Sequence, residues 1–152
     1  GHAAAAELLI AAGAPIAARD REGRTPLHLA AVSDGGEAVA RLLLAAGADL
    51  EARDLLGRTP LHYTTLGSNG CRQRIAELLL AAGAEIDARS RARATPLHLA
   101  AFWGYADMIT LLLDRGADAA AENDENETPL DLAIRGCRSA AERVLVRYRD
   151  GS

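Results

Sequence analysis

Three histidines, at positions 28, 62 and 98, are the residues whose type and regular spacing first suggest chemistry. Each ends the same tetrapeptide, Thr-Pro-Leu-His, and imidazole nitrogens are common zinc ligands. If each tetrapeptide belongs to one helical repeat, neighbouring histidines lie about 10 Å apart, the usual distance between packed helices. Zinc needs its ligand nitrogens about 2 Å from a single point. We therefore expect His28, His62 and His98 to be structural and not to bind a metal.

Catalytic motifs are absent from the sequence. It has no G-x-S-x-G nucleophile elbow, no phosphate-binding G-x-x-x-x-G-K-S/T, no G-x-G-x-x-G and no H-E-x-x-H. The carboxylates are interpreted as solvated loop or helix residues. We expect no catalytic residue and no cofactor, so the chain is predicted not to be an enzyme.

Two cysteines are too few for a disulfide framework. Cys71 follows Gly70 at the expected start of a helix and is followed by Arg72 and Arg74, a setting that can activate a thiol. An incidental surface thiol is the preferred interpretation over a redox role, both for Cys71 and for Cys137.

Charge and composition limit the classes of partner. The segment 89–93, RSRAR, shortly precedes the only Phe and the only Trp, a combination also found in nucleic-acid-binding proteins. The net charge of −4 and the nearby acidic segment 122–127, ENDENE, oppose binding to a polyanion. No apolar run approaches the roughly 18 residues of a membrane span, and the start lacks a basic leader. We expect no nucleic-acid or membrane partner and a cytoplasmic location, with the nucleus as the alternative.

These residues belong to an internal repeat. TPLH begins at Thr25, Thr59 and Thr95, and TPLD begins at Thr128, with spacings of 34, 36 and 33 residues. Each of the first three copies is followed by a Leu-rich stretch that ends in Gly-Ala-Asp or Gly-Ala-Glu. Residues 1–24 match the second half of such a unit without its first half. A fixed period of this length is typical of a stacked repeat protein.

The repeat that begins at Thr95 predicts two helices. Thr95 is a good helix N-cap, and Pro96 suits the first helical position, where no amide hydrogen bond is lost. Gly104 permits a tight turn, and Gly116 predicts the end of the second helix as a C′ glycine. Leu97, Ala100, Ala101, Met108, Leu111 and Leu112 form the expected apolar stripes. One helix pair cannot bury its own apolar surface, so neighbouring pairs must stack.

The pattern G-x-TPLH-x-A, a Leu triplet and GAD resembles the ankyrin repeat over nearly the whole chain. The resemblance implies an all-α repeat solenoid of stacked helix-turn-helix units with β-hairpin-like finger loops. It also implies that the histidines hold these loops by hydrogen bonds. We predict a single domain over 1–152. It consists of a half repeat (1–24), three full repeats (25–58, 59–94 and 95–127) and a C-terminal capping repeat (128–152).

Both ends depart from the pattern. The last repeat has Asp131 in place of His and a polar second helix, which suits a cap facing water. The half repeat lacks a first helix, so we expect an uncovered apolar flank. The chain would then be part of a longer array, or its end would be covered by another segment or chain. We expect a monomer, with self-association through the half repeat as the alternative. Extra residues in two repeats, one in SDGGE and three in LGSNGCRQR, are assigned to the turns between helices.

The resemblance further implies a protein-binding module without catalysis, whose contacts come from finger tips and first helices on a concave face. A regulatory or targeting arm of a larger protein, which could include an enzyme, is the alternative. The residues that the resemblance assigns to partner binding are Arg21, Glu22, Arg24, Leu55, Leu56, Arg58, Leu66, Arg91, Arg93, Phe102, Trp103, Tyr105, Asp124, Glu125 and Glu127. Val32, Ser33 and Arg135 complete the exposed first-helix positions.

Two competing interpretations apply to this surface. The basic tip could form an ion pair with the acidic tip, Arg93 with Glu125 or Glu127, in place of a partner contact. Likewise, Phe102 or Trp103 could pack between neighbouring first helices. Arg93 also stands where other tips have Gly or Asn, which predicts a left-handed backbone that costs about 1 kcal/mol for Arg.

Overall fold

A computed structural model describes residues 2–66 and 72–150. In this part of the chain, all regular secondary structure is helical, with nine α-helices and no strand. The predicted all-α repeat fold is therefore confirmed, and the finger loops consist of turns. The structure divides into two compact units, Gly1–Glu85 and Ile86–Ser152.

Unit 1 contains the half repeat and the helices of the next two repeats. The first helices of these two repeats, α2 and α4, pack against each other, and the second helices pack in the order α1, α3, α5. Each first helix also packs on the second helix of its own repeat. The bounds are α1 (His2–Ala11), α2 (Pro26–Val32), α3 (Glu37–Ala45), α4 (Pro60–Tyr63) and α5 (Gln73–Ala81).

Unit 2 contains two helix pairs arranged in the same way. The first helices α6 and α8 pack against each other, as do the second helices α7 and α9. The bounds are α6 (Pro96–Trp103), α7 (Ala106–Asp114), α8 (Pro129–Arg135) and α9 (Ser139–Asp150).

The start and the end of the helices in the third full repeat agree with the prediction. Thr95 is the N-cap of α6 in an extended conformation, and Pro96 occupies the first helical turn. Gly104 adopts a left-handed φ of +82° directly after α6, and Gly116, with φ +90°, follows the C-cap of α7. These local signals therefore decide where each helix begins and ends.

The core consists of the predicted small and branched aliphatic side chains. Leu97, Ala100, Ala101 and Leu112 are fully buried, and Met108 is nearly so. The alanines allow first helices to approach closely, and the leucines fill the space between first and second helices. Leu111, which was also assigned to the stripe, is only half-buried.

The first helix of the second full repeat is much shorter than its equivalents, since α4 ends at Tyr63. The next two residues are Thr64 and Thr65, whose hydroxyls donate to the carbonyls of Leu61 and His62 at 2.7 Å. Such hydroxyls compete with the backbone for helical hydrogen bonds. The insertion predicted here overlaps residues 67–71, which lie outside the described residues.

The other predicted insertion lies where expected, in the turn between α2 and α3. Gly36 ends this turn, and a Cβ atom there would lie 2.0 Å from the carbonyl oxygen of Ala30. Only glycine permits this approach. In α1, Leu8 and Leu9 are 72% and 60% exposed, so this helix exposes apolar side chains within unit 1.

Candidate functional site

The TPLH motif builds a buried hydrogen-bond network. At Thr95, the backbone N–H donates to Nδ1 of His98 at 3.1 Å, and the threonine Oγ1 lies 2.8 Å from the same nitrogen. Thr25 and His28 form the same pair at the same distances. A backbone N–H can only donate, so Nδ1 is the unprotonated nitrogen and Nε2 carries the proton.

The protonated Nε2 connects each of these histidines to the following finger loop. His28 Nε2 donates to the carbonyl of Arg58, and His98 Nε2 donates to the carbonyl of Glu127, both at 3.0 Å. Burial lowers the pKa of both imidazoles, although the bond to the carbonyl partly opposes this effect. Both nitrogens of each ring are thus occupied. Within residues 2–66 and 72–150, no group of three His, Cys, Asp or Glu residues could hold a metal ion.

Each finger loop turns around one short polar side chain. Oδ1 of Asp20 accepts the backbone N–H groups of residues 22 and 24 at 2.9 Å, and Oδ1 of Asp54 and of Asn123 accept the equivalent pairs. Ser90 fills the same place in the third finger, where its Oγ accepts from the N–H of Ala94 at 3.2 Å. This arrangement, an Asx or Ser/Thr turn, fixes the tip without strand pairing.

One position in every tip has a left-handed backbone. The φ angle is +76° at Gly23, +71° at Gly57, +54° at Arg93 and +57° at Asn126. The prediction that Arg93 adopts the glycine-like conformation is therefore confirmed. Glycine and asparagine tolerate this region, whereas arginine rarely occupies it.

The first two tips, both in unit 1, differ in chemistry. Arg24 forms ion pairs with Asp20 at 2.7 Å and with Glu22 at 2.9 Å, so the charges of the first tip are largely satisfied within it. In the second tip, Leu55 and Leu56 are 57% and 53% exposed. The N–H of Leu55 donates to the carbonyl of Glu22 at 2.9 Å and ties the two fingers together.

Three other residues of unit 1 that were predicted to bind a partner differ in their exposure. Arg21 is exposed, whereas Arg58 and Leu66 are half-buried. Both half-buried residues offer backbone carbonyls to internal partners, since the carbonyl of Leu66 accepts from Nη1 of Arg72 at 2.6 Å and that of Arg58 accepts from His28. Among the remaining first-helix positions, Val32 is half-buried and Ser33 is exposed.

The interpretation of every carboxylate as solvated was wrong for Asp54. This residue is 7% exposed, and its Oδ2 accepts a 2.7 Å hydrogen bond from the hydroxyl of Tyr63. Burial raises the pKa of Tyr63, and the hydrogen bond to this carboxylate raises it further. The Tyr63 ring also contacts His28 edge to face, with ring centroids 5.0 Å apart. The signal in the sequence is that Tyr replaces the Leu of the other repeats at this position.

The competing interpretation of an ion pair between fingers three and four, Arg93 with Glu125 or Glu127, was also wrong. Glu127 and Glu125 instead pair with Arg135 at the end of α8, at 2.8 and 3.2 Å. The pairs therefore join the fourth finger to the helix that follows it, between residues eight and ten positions apart in sequence. Arg93 makes no ion pair with the described residues, and the two tips are joined by the backbone, where the N–H of Asp124 donates to the carbonyl of Ala92 at 3.1 Å.

Two large aromatic side chains end α6. Phe102 and Trp103 are 40% and 44% exposed, and their rings meet edge to face with centroids 5.1 Å apart. Tyr105, which follows α6, is half-buried. Nε of Arg138 donates to the carbonyl of Phe102 at 3.1 Å, which places a cationic side chain beside the pair.

Unit 2 thus contains the third and fourth tips, Arg135 and the aromatic end of α6. Cys71 lies outside the described residues, and Cys137 is an exposed, free thiol at a left-handed turn with φ +52°.

A comparison with protein families identifies the family to which the chain belongs. The family described as ankyrin repeats (3 copies) matches residues 1–90 and 68–151. The chain belongs to the ankyrin-repeat family. The comparison with curated proteins found no match.

The family places the geometry in a broader context. Ankyrin repeats generally act as protein–protein interaction modules, and their fold is typically non-catalytic. In this ankyrin-repeat protein the TPLH motifs are framework, since they cap the first helices, and His28 and His98 hold the fingers that follow. No helix in the described part of the chain is long and apolar enough to cross a membrane. The variable chemistry lies in the finger tips and at the exposed ends of the first helices.

Proposed function

We propose that this ankyrin-repeat protein binds a partner protein, without catalysis, through its finger tips and first helices. The aromatic pair, Phe102 and Trp103, carries the proposal, because two adjacent large apolar side chains remain about 40% exposed at the end of a first helix. Exposed apolar clusters mark interaction sites, and aromatic side chains contribute strongly to binding energy.

The contacts around the pair support a preorganised surface. The edge-to-face contact holds the two rings in one arrangement, and Arg138 fixes the backbone carbonyl of Phe102. The left-handed Gly104 immediately follows and ends α6. Little conformational freedom would be lost on binding, which favours affinity.

The test combines partner capture with a direct readout. Partners captured from a lysate of the source organism would be identified, and one purified partner would then be titrated into the protein. Because Trp103 is the only tryptophan, its burial should shift the emission maximum to the blue. Trp103→Ala should weaken binding by about 2 kcal/mol while the thermal midpoint stays nearly unchanged.

Leu8→Ala is the matched control. It removes an exposed apolar side chain from α1, which packs in line with the second helices. It should leave the affinity unchanged. If Trp103→Ala lowers the thermal midpoint and leaves the affinity unchanged, Trp103 is a packing residue and the proposed surface is wrong.

A further inference from the structure

We infer that the partner segment bound in unit 2 is acidic and carries a bulky apolar side chain. This inference rests on the proposed function and specifies the partner of the same surface. We call this surface the arginine–aromatic strip, formed by Arg91, Arg93, Phe102, Trp103, Arg135 and Arg138.

Two carboxylates of the fourth finger share one arginine of the helix that follows it. Nη1 of Arg135 lies 2.8 Å from Oε1 of Glu127 and 3.2 Å from Oε2 of Glu125. Two of the three carboxylates of this tip therefore already have a cationic partner. Asp124 is the remaining carboxylate.

The positive charge of the third finger is not neutralised in this way. Arg91 and Arg93 are exposed and form no ion pair with the described residues. Arg138 is exposed too, and its bond is to a neutral carbonyl. Together with Arg135 the strip has four arginines, one more than the three carboxylates of the fourth tip, in a chain whose total charge is −4.

The strip is connected by observed contacts and by repeat register. The backbone bond between Asp124 and Ala92 joins the third and fourth tips, and Arg135 joins the fourth tip to α8. Phe102 and Arg135 hold equivalent positions in α6 and α8, which pack against each other. A segment several residues long could therefore place a carboxylate on the arginines and an apolar side chain on the aromatic rings. Guanidinium groups bind carboxylates through paired, charge-assisted hydrogen bonds.

Backbone strain at Arg93 independently points to the same residues. Arg93 keeps φ +54° where the first two tips have glycine and the fourth has asparagine. Residues held in unfavourable backbone regions concentrate at binding sites. Glycine or asparagine would fit this backbone better. A requirement for positive charge at this position therefore explains why arginine is present.

The experiment uses a phage-displayed library of random 12-residue peptides, selected on the purified chain. Enriched peptides would be synthesised with a fluorescent label, and their affinities measured by polarisation at 50 and 300 mM salt. We expect the enriched peptides to contain Asp or Glu next to Phe, Leu or Trp. Their affinity should fall at least tenfold in the double variant Arg91→Ser with Arg93→Asn, and should also fall with salt.

The matched control carries Arg143→Ser and Arg147→Asn on α9, which removes the same charge from a second helix and should change the affinity less than twofold. Sensitivity to Phe102→Ala with Trp103→Ala, but not to the finger variant, would overturn the acidic partner class and keep the proposed surface. Insensitivity to the aromatic variant would overturn the proposed function itself. Enrichment of basic peptides, no enrichment at all, or tighter binding of a single-stranded DNA 20-mer would overturn the inference.

Discussion

The hydroxyl of Tyr63 donates a 2.7 Å hydrogen bond to the buried carboxylate of Asp54 and connects α4 to the tip of the second finger. The equivalent residues Leu29, Leu99 and Leu132 cannot form such a bond. The other oxygen of Asp54 accepts the two backbone N–H groups that shape the tip. Tyr63 thus supports the finger that presents Leu55 and Leu56.

Removal of this hydroxyl should destabilise the protein. Tyr63→Phe keeps the ring against His28 but leaves one oxygen of a buried, charged group without its donor. Loss of a hydrogen bond to a charged group costs about 1.5–3 kcal/mol. Urea unfolding followed by circular dichroism would measure the change.

Tyr105→Phe is the control for this measurement, because Tyr105 is half-buried and its hydroxyl makes no hydrogen bond with the described residues. It should change the free energy of unfolding by less than about 0.5 kcal/mol. Equal effects of the two substitutions would contradict the role assigned to the Tyr63–Asp54 bond.

The stability of the protein should fall as the pH drops below about 6.5. Burial lowers the pKa of His28 and His98 in the folded state, so the unfolded chain binds more protons below its own histidine pKa. The histidines leave the free energy of unfolding at its full value above that pKa, and they reduce it progressively as the pH falls below it. Each histidine lowers the free energy of unfolding by up to about 1.4 kcal/mol per pH unit in this window.

Urea unfolding at pH 7.5, 6.5 and 5.5 would check this slope. The pKa of Asp131, which replaces histidine in the last repeat, is lowered by hydrogen bonds from Thr128, so its contribution disappears only in a separate window below about pH 4. Constant stability between pH 7.5 and 5.5 would show that the histidine networks tolerate protonation.

The framework of this fold could be predicted because its signals are local. Thr95, Pro96 and Gly116 act within a few residues, and each repeats the same chemistry in other copies. The left-handed backbone at Arg93 was predictable for the same reason, since Gly23 and Gly57 mark the equivalent position.

Side-chain partners were less predictable, because they depend on which groups the fold brings together. Opposite charges on adjacent tips suggested a pair between Arg93 and Glu125. In the structure, the carboxylates of the fourth finger pair instead with Arg135, in the helix that follows the finger. The burial of Asp54 likewise depends on a single Tyr63 in place of leucine. The early end of α4 coincides with two consecutive threonines whose hydroxyls donate to backbone carbonyls.

Relief of the left-handed backbone at the third tip should stabilise the protein. Arg93→Asn introduces the residue that the fourth tip has at this position, Asn126, which tolerates φ near +57°. The gain should be about 0.5–1 kcal/mol in the free energy of unfolding, since the left-handed region costs arginine about 1 kcal/mol. Thermal and urea unfolding would measure it.

Arg91→Asn provides the comparison, because Arg91 is in the same tip and its φ is not positive. It removes the same charge without relief of strain, so it should give no gain. If both variants were stabilised equally, charge repulsion within the tip would explain the effect, and the strain assigned to Arg93 would be wrong.

Neutralisation of one carboxylate in the fourth finger should tighten the binding of acidic segments. Glu125→Gln removes a negative charge and frees Arg135 from its 3.2 Å contact, so that its guanidinium can turn to a bound carboxylate. Arg135→Gln removes a cation and leaves Glu125 and Glu127 unpaired, so it should weaken binding. An exposed charge pair is worth up to about 1 kcal/mol, which corresponds to changes in affinity of about two- to fivefold in opposite directions.

Polarisation titrations of one acidic, apolar peptide would measure the affinities of both variants. Glu7→Gln on α1 is a charge-matched control and should leave the affinity unchanged. Changes of the same sign in the two variants would show that Arg135 acts through packing and not through its charge.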